Sequence, residues 1–390
     1  MKITSVTVIP ASYSTDDVPP FRRSFAVVRL DTDEGITGWG EASDCYGHRY
    51  PLTLKALFEE TVQWLLLDRD PSHVEDLMWR LRHSLYAPLG ARGLVIQALS
   101  AVDIALWDIR GKRLGVSISE LLGRKRDRVD LYAAGKPALY ESPEWNVDFL
   151  SPLLERGAKA AKVRTGRDLE WDSTMVRRVR ELLPDDVEMF VDGKYNYTLP
   201  SAERFARVLG DLEARAFEEP IPPLDLDVVR RLTEVAAPLR LAYGEHAFTV
   251  HDFRDLLVRG GIFELEPDVT VCGGFTEGMK VLDFAEAHGA HVLPHCGGLT
   301  AIGMAANLQF VASYADATFF EYDARPWQPL RDEIVDSSPF ALDKVVDGSL
   351  AIPDSPGLGI EVDEEIFAKY PYEIDKRIAS TFPTYTTPHV

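Results

Sequence analysis

A regular spacing of polar residues along the second half of the chain constrains the fold most. Arg164 is the first of them, and six more follow at intervals of 23 to 28 residues: Asp192, Glu218, Glu245, Asp268, His295 and Glu321. Each follows a short apolar run and precedes a helical pattern. Because a strand with its crossover helix takes roughly 30 residues, the spacing predicts repeated βα units. In a parallel βα barrel the carboxyl ends of the strands converge on one face, where active sites lie.

The order of the predicted elements divides the chain into three segments. From about residue 129, strand and helix patterns alternate, and they give eight strands by residue 325. This alternation is typical of a parallel barrel. Residues 1–55 instead predict antiparallel strands and residues 51–123 predict helices, which together indicate an α+β unit. We therefore expect an α+β domain, a barrel and a segment that packs back on the first domain, at residues 1–126, 127–325 and 326–390.

Composition excludes several classes of function. The formal net charge of −20 argues against nucleic-acid binding, which needs a basic surface. No apolar run reaches about 18 residues, so no membrane span is predicted. The start, MKITSVTVIP, reads as a strand and lacks the apolar core of a signal peptide. The three cysteines fit no zinc motif and indicate reduced thiols, so we expect a cytoplasmic protein.

Three of the regularly spaced residues form a candidate metal site. Asp192, Glu218 and Glu245 end three successive predicted strands. Carboxylate oxygens suit Mg²⁺, which keeps open positions for water or substrate. Three converging carboxylates without a cation would repel one another and be partly protonated. Any single one could be a solvated loop charge, but the three in register predict one bound Mg²⁺.

His295 and Asp268 end neighbouring predicted strands and form a candidate acid/base pair. A carboxylate that binds one imidazole nitrogen fixes the tautomer and raises the basicity of the other nitrogen. The alternative is a buried histidine paired with an aspartate for structural reasons. Beside a metal site we favour the catalytic interpretation.

Further candidates lie on the second, third and eighth strands. Lys162 and Arg164 alternate and so face the same side, where lysine near a metal could act as a base and arginine as a fixed donor. Lys194 follows Asp192 by two residues and either contacts substrate or pairs with a carboxylate. Glu321 could stabilise developing charge or form a salt bridge.

Two loops of the first domain combine aromatic and basic residues. They span residues 19–23 and 44–50 and contain Arg22, Arg23 and His48. Such loops could close over a polar ligand, or they could be ordinary surface loops.

These motifs together resemble the enolase superfamily, mandelate racemase subgroup, over essentially the whole chain. The resemblance is carried by Lys162-Val-Arg164, Asp192, Glu218-Glu219-Pro220, Gly244-Glu245, Pro267-Asp268 with Gly273-Gly274, His295, Glu321 and the helix AVDIALWDIRGKRLGVSISELLG. It implies an α/β fold, a modified (β/α)₇β TIM barrel with an α+β capping domain formed by the N-terminal region and the C-terminal tail. It also implies that Glu218, with Asp192 and Glu245, binds the metal.

The run GEHAFTVHDFRDLL resembles sugar-acid dehydratases of this family. That resemblance implies loss of water from an aldonic acid to give a 2-keto-3-deoxy acid through an ene-diolate, with His295 as acid/base. It implies that Arg22, Arg23 and His48 contact the distal end of the substrate, and we expect His246 to bind substrate as well. Family members are commonly symmetric assemblies, so a homo-oligomer is expected.

Two departures from the family pattern bear on the reaction. Arg164 stands where racemases usually carry a lysine base, and Lys194 stands where many members have Asn. An epimerase or cycloisomerase that shares the enolate step remains an alternative, and a metal-binding or ligand-binding protein without catalysis is a third. The stereochemistry of the substrate stays open.

Overall fold

The N-terminal region forms a three-stranded antiparallel sheet covered by helices. The structure is a computed structural model that describes residues 1–15, 22–44, 50–135, 141–315 and 319–374. The strands are Ile3–Ser14 (β1), Arg22–Thr32 (β2) and Thr37–Ala42 (β3), in the order β1-β2-β3. The helices are Pro51–Leu57 (α1), continued by a π-helical turn at Phe58–Val62, then Gln63–Leu66 (α2), Val74–Leu89 (α3), Leu94–Leu114 (α4) and Ile118–Leu122 (α5).

Helix α4 packs directly on strand β3, and two glycines make this contact possible. A methyl group on Gly40 would lie 1.9 Å from the carbonyl oxygen of Ala101, and one on Gly38 would lie 2.2 Å from that of Ala105. No side chain can be accommodated at such distances, so the backbones of helix and strand touch. Helix α4 is therefore buried almost along its whole length, which explains why apolar residues occur on all of its faces.

Eight parallel strands form the larger sheet and alternate with helices, which confirms the predicted fold class. The strands are Arg128–Ala134 (β4), Ala160–Arg164 (β5), Glu188–Asp192 (β6), Ala216–Glu218 (β7), Arg240–Tyr243 (β8), Glu264–Leu265 (β9), His291–Val292 (β10) and Phe320–Asp323 (β11). Pairing runs in the order β10-β9-β8-β7-β6-β5-β4-β11. The helices between them are Pro143–Leu154 (α6), Leu169–Leu182 (α7), Leu199–Asp211 (α8), Leu226–Ala236 (α9), Val250–Val258 (α10), Gly274–His288 (α11) and Ala301–Val311 (α12).

The barrel interior is filled by small and aromatic side chains. Below the strand ends, Tyr132 stacks on Phe190 with ring centroids 5.2 Å apart, and Phe190 meets Phe319 edge to face at 6.2 Å. Alanines at positions such as 160, 216 and 242 fill the space beside these rings. The interior is thus a packed core rather than a pore.

The C-terminal segment contacts both the first domain and the barrel. It contains Pro329–Asp332 (α13), Ser349–Ala351 (β12) and two 3₁₀ turns at Leu342–Lys344 and Glu364–Lys369. Strand β12 pairs antiparallel with β4. Buried Asp108 of α4 accepts hydrogen bonds from the backbone N–H of Trp39 (3.0 Å) and of Leu358 (2.9 Å). The segment thus returns to the first domain, while boundaries at residues 126 and 325 stay a prediction. Among the described residues, no helix is long and apolar enough to span a membrane.

A buried carboxylate from β3 anchors the first domain to the barrel. Glu41 accepts hydrogen bonds from the N–H and hydroxyl of Thr300, at 3.1 and 2.6 Å, and from the N–H of Gly303 at 3.0 Å. These donors form the start of α12, where unsatisfied N–H groups and the helix dipole favour an anion. Glu41 is fully buried, so no water can replace it without rearrangement.

Replacing Glu41 by Ala is expected to destabilise the protein by about 3 kcal/mol or more, because each bond to a buried charged group contributes about 1.5–3 kcal/mol and the donors would lose their acceptor. Glu41→Gln keeps the size and one acceptor oxygen and should cost less. Urea unfolding followed by circular dichroism measures both. A Glu41→Ala protein within about 0.5 kcal/mol of the parent, the range of ordinary surface substitutions, would contradict the anchoring role.

Candidate active site

Strand register brings the regularly spaced residues together at one end of the barrel. Arg164 pairs with Asp192 across β5 and β6, and Asp192 pairs with Glu218 across β6 and β7. Glu245 follows the end of β8, and His295 and Glu321 belong to the last two strands or their ends. All of these side chains except that of Arg164 are buried. The predicted convergence of strand ends is therefore present in the structure.

Lys162 bridges two of the carboxylates. Its Nζ lies 2.9 Å from Glu218 Oε1 and 2.8 Å from Glu321 Oε1. Burial disfavours the ammonium, but Glu218 and Glu321 outweigh that effect and raise the pKa of Lys162 well above its ordinary value. We expected a neighbouring cation to favour a neutral amine, yet the immediate neighbours are anions. In this arrangement Lys162 is a hydrogen-bond donor, and a basic role requires those carboxylates to be neutralised.

Arg164 and Lys194 both contact Asp192. Arg164 forms an ion pair with Asp192 and donates to the carbonyl oxygen of Gly135 at 2.9 Å. The backbone N–H of Lys194 donates to Asp192 Oδ1 at 2.8 Å. Burial and the charge of Arg164 lower the pKa of Lys194. Arg164 therefore serves as a fixed donor, and Lys194 has the electrostatic environment of a group that can exchange a proton.

His295 and Asp268 form the predicted pair. His295 Nδ1 donates to Asp268 Oδ2 at 3.0 Å, and its Nε2 lies 3.2 Å from Glu245 and 3.6 Å from Glu321. Burial opposes the imidazolium, but Glu245, Glu321 and Asp268 together raise the pKa of His295 to about 9. The nitrogen that is not held by Asp268 thus points among the strand-end carboxylates.

Asp268 is itself fixed by three further donors that the sequence did not reveal. Its Oδ1 accepts hydrogen bonds from the N–H and hydroxyl of Thr270, at 2.8 and 2.6 Å, and from Asn307 Nδ2 at 2.9 Å. Thr270 lies two residues after Asp268 and could have been read as an Asx turn. Asn307 comes from α12, and its only sequence signal is an amide within an apolar helix. Both residues orient the carboxylate that orients His295.

The donor set fits a divalent cation. Burial and the charges of Asp192 and Glu245 raise the pKa of Glu218 to about 8, even though Lys162 opposes the shift. Glu218 Oε2 is buried and has no hydrogen-bond partner among the described residues. A buried carboxylate oxygen without a partner beside two further carboxylates is the arrangement that a hard cation satisfies. Asp192, Glu218 and Glu245 therefore fit the predicted Mg²⁺ site.

A second group of possible ligands adjoins this trio. Glu219, Glu245 and His246 each offer one ligand atom, and these atoms lie within 4.8 Å of one another. His246 Nδ1 is 3.0 Å from Glu219 Oε2 and 3.4 Å from Glu245 Oε1, and the hydroxyl of Tyr195 is 3.1 Å from the same nitrogen. His246, predicted to bind substrate, is thus tied to the carboxylate that follows Glu218. Neither Glu219 nor Tyr195 was selected from the sequence.

Of the three capping-domain residues that we predicted to contact the substrate, the structure describes two, and these two differ in their positions. Arg23 lies at the barrel, with Asp323 and Gln328 as partners. Arg22 points the other way along β2 and pairs with Glu373 at 2.8 Å, so its contacts run to the C-terminal segment. His48 lies outside the described residues.

Glu266 is a further buried acid that the sequence analysis missed. It precedes Pro267, its Oε2 has no hydrogen-bond partner among the described residues, and it is 2% exposed. Burial and the negative charge of Glu218 raise its pKa well above the ordinary value. Glu266 is therefore protonated in the folded protein over a range in which it ionises in the unfolded chain.

Replacing Glu266 by Gln is expected to stabilise the metal-free protein increasingly as pH rises. The pKa of Glu266 is higher in the folded protein than in the unfolded chain. Protonated Glu266 therefore contributes its full stability below the unfolded-state pKa. This contribution is lost as pH rises from there through the folded-state pKa. The loss is about 1.4 kcal/mol per pH unit in that window. Urea unfolding at pH 6 and pH 9 in a chelator should show a smaller pH dependence for Glu266→Gln. Glu264→Gln, which removes an ion pair to Arg240, should instead lose stability at both pH values.

The comparison with known families assigns the chain. Residues 147–366 match the model described as enolase C-terminal domain-like, and residues 4–123 match the mandelate racemase / muconate lactonizing enzyme N-terminal domain. The chain belongs to the mandelate racemase and muconate lactonizing enzyme family. It is an enzyme of the enolase superfamily.

Relatives within this family act on sugar acids or their lactones. The chain is 32% identical to D-galactarolactone cycloisomerase of Agrobacterium fabrum, over 95% of this chain and 99% of the relative. It is also 32% identical to arabinonate dehydratase of Saccharolobus solfataricus, over 87% of this chain and 89% of the relative.

Solved structures of the enolase superfamily share the whole architecture. A member from Polaromonas sp. JS666 has a TM-score of 0.87 and 33% identity, with 96% of this chain and 98% of that chain covered. A racemase from Streptomyces coelicolor A3(2), solved with bound magnesium, has a TM-score of 0.84 and 25% identity, with 95% of this chain and 100% of that chain covered.

Proposed function

We propose that the protein is a Mg²⁺-dependent sugar-acid dehydratase with one Mg²⁺ per subunit. It removes the C2 proton of an aldonic acid and eliminates the 3-hydroxyl as water, which gives a 2-keto-3-deoxy acid. The arabinonate dehydratase similarity supports this substrate class. The magnesium-containing relative supports the metal.

The observation that carries the proposal is the His295–Asp268 pair. Asp268 is held by three other donors, so the imidazole that it binds has a fixed orientation. The other ring nitrogen, Nε2, faces Glu245 and Glu321, at the end of the barrel where we place the substrate carboxylate. A group so placed can take the C2 proton and can return a proton to the departing hydroxyl.

The remaining charged residues complete the site. Bound by Asp192, Glu218 and Glu245, Mg²⁺ would supply positive charge against the negative charge that develops on the substrate carboxylate. Arg164 offers a fixed guanidinium to an anionic substrate. Lys162 on β5 and Lys194 after β6 are the candidates for a second proton-exchanging group. The pKa of Lys194 is lowered, whereas Lys162 can take this role only when Glu218 and Glu321 are neutralised. His246, held by Glu219 and Tyr195, is the residue that we assign to a substrate hydroxyl.

In the overall reaction one C–H bond and one C–O bond are broken. The C2 proton moves to the protein and the electron pair of that bond forms the C2–C3 double bond. The 3-hydroxyl leaves with a proton as water, and the resulting enol becomes the 2-keto acid when C3 gains a proton. No oxidant or reductant is required.

A cycloisomerase is the second candidate. It shares proton removal next to a carboxylate, and the D-galactarolactone cycloisomerase that is 32% identical over 95% of this chain supports it. Ring opening would replace loss of hydroxide, so the leaving group is a ring oxygen that stays in the product. The same His295–Asp268 pair serves either reaction.

Incubation with a library of aldonic and aldaric acids and their lactones in D₂O, with Mg²⁺ present, distinguishes the candidates. A 2-keto-3-deoxy product, detected with semicarbazide and by mass spectrometry, supports dehydration of an open-chain acid. Formation of an isomer of unchanged mass from a lactone supports the cycloisomerase. If the substrate gains deuterium at C2, its C2 configuration is inverted and no keto product forms, dehydration is excluded.

The proposed function also bears on the binding partners, oligomeric state and location of the enzyme. The expected partner is a small carboxylate substrate, and the acidic surface does not suit nucleic acid. A symmetric homo-oligomer and a cytoplasmic location stay predictions.

A further inference from the structure

Arg23 lies between the capping domain and the barrel, and both of its terminal nitrogens donate hydrogen bonds. One terminal nitrogen donates to Gln328 Oε1 at 2.9 Å and the other to Asp323 Oδ2 at 3.0 Å. The hydroxyl of Tyr13 donates to the same oxygen of Gln328 at 3.2 Å. Burial opposes ionisation of Asp323, but Arg325 and Arg23 lower its pKa to about 2. With a side chain 13% exposed, Arg23 is held by protein groups rather than left to follow a ligand.

Gly298 packs directly on this guanidinium. Its φ is +63°, and a methyl group there would lie 2.2 Å from Nη1 and 2.7 Å from Cζ of Arg23. Its N–H donates to the carbonyl oxygen of Cys296 at 3.1 Å, which closes a tight turn over residues 296–298. The positive φ favours glycine, and the lack of a side chain lets the guanidinium lie against the backbone of the turn, so the position of the turn is coupled to the position of Arg23.

The other side of the turn contacts the proposed acid/base residue. A methyl group on Gly297 would lie 2.7 Å from Nε2 and 2.9 Å from Cε1 of His295. Gly297 is half-buried, whereas its neighbours in the turn and His295 are buried. The backbone of Gly297 therefore lies against the Nε2 edge of the imidazole, so a small displacement of the turn would change access to Nε2.

We propose that Arg23 is a positioning residue of the active site, which acts through the turn at residues 296–298 on the Nε2 face of His295. This inference rests on the proposed function in that His295 is the acid/base group. It assigns Arg23 a role different from the distal substrate contact expected from the sequence. It also makes the docking of the capping domain on the barrel a condition for access to His295. A displacement of about 1 Å can cost about 100-fold in rate.

Replacing Arg23 by Lys tests the proposal, because lysine keeps the charge but cannot bind Asp323 and Gln328 with a planar fork. We expect kcat to fall about 10- to 100-fold while KM changes less than about threefold. Arg29→Lys is the matched control on the same strand, since Arg29 pairs with Asp31 and Glu364. It should leave both constants unchanged. A rise in KM alone would assign Arg23 to substrate binding and overturn the proposal.

Chemical labelling gives a second readout that needs no substrate. The rate at which diethyl pyrocarbonate modifies His295, followed by mass spectrometry of the peptide, should change at least about fivefold in Arg23→Lys. Asp323→Asn removes one partner of Arg23 without loss of volume, and it should change the labelling rate in the same direction. Circular dichroism shows whether each variant is folded. If one of the two variants is misfolded, the labelling rate of the folded one tests the proposal. Unchanged labelling in the folded variants would overturn the positioning role.

The two readouts separate this inference from the proposed function. If no sugar acid is converted but labelling of His295 still depends on Arg23, the proposed reaction is wrong and the coupling stands. If substrate is converted and neither labelling nor kcat depends on Arg23, the proposed reaction stands and the coupling is wrong.

Discussion

His295→Asn is expected to lower kcat by about 10³-fold or more, because a positioned acid/base group contributes about 10²- to 10⁴-fold. Asparagine can still hydrogen-bond to Asp268 but cannot carry the proton. The loss should appear in kcat rather than in KM, since His295 acts on the reacting proton. Exchange of the C2 proton with D₂O should fall by the same factor, which connects the loss to proton transfer.

His288→Asn is the matched control, because His288 is exposed on α11 and hydrogen-bonds only to a backbone carbonyl among the contacts described. It should leave kcat unchanged. Asp268→Asn should also reduce kcat, because an amide at this position no longer favours the imidazolium. A His295→Asn protein that exchanges C2 protons at the parental rate would show that another group is the base.

Glu218→Gln is expected to weaken Mn²⁺ binding by well over 100-fold, since even residues that only orient metal ligands contribute about 10- to 100-fold. It should abolish conversion of any sugar acid. The reason lies in the buried oxygen of Glu218 that has no partner among the described residues, which an amide nitrogen would turn into a donor facing the cation. Electron paramagnetic resonance of Mn²⁺, a substitute for Mg²⁺, measures the affinity directly.

The neighbouring substitution Glu219→Gln decides between the two groups of ligands. Glu219 belongs to the compact group with Glu245 and His246, whereas Glu218 belongs to the trio with Asp192 and Glu245. If the trio binds the metal, Glu219→Gln keeps the Mn²⁺ affinity within about tenfold, as expected of an outer residue. If Glu219→Gln abolishes binding and Glu218→Gln does not, the metal lies beside His246 and the assignment of ligands is wrong.

The arrangement of the barrel and of the strand-end residues followed from the sequence for a physical reason. Parallel strands place their carboxyl ends on one face, so one polar residue per βα unit is enough to locate the site. The eight strands of the structure fall where the alternation of patterns predicted them. Asp192, Glu218, Glu245, His295 and Glu321 then lie together because of register, not because of any local signal.

The partners of these residues could not be predicted in the same way. Asn307 reaches Asp268 from a helix 39 residues further along the chain, and Arg23 reaches Asp323 across 300 residues. Such contacts depend on how helices and domains pack, which no spacing in one sequence records. The carboxylates that pair with Lys162 in the metal-free protein were likewise not predictable, because they depend on which side chains lie closest to its amine.

Helix α12 limits how this enzyme could be recombined with its relatives. Glu41 of the capping domain binds the first turn of this helix. Asn307 lies less than two turns further along the helix. It donates to Asp268, the carboxylate that orients His295. A chimera that receives the N-terminal domain of another family member would lose function unless that domain brings a carboxylate to the position of Glu41. Within this fold, substrate range is therefore easier to alter by point substitutions that leave Glu41 and Asn307 in place than by exchange of the whole N-terminal domain.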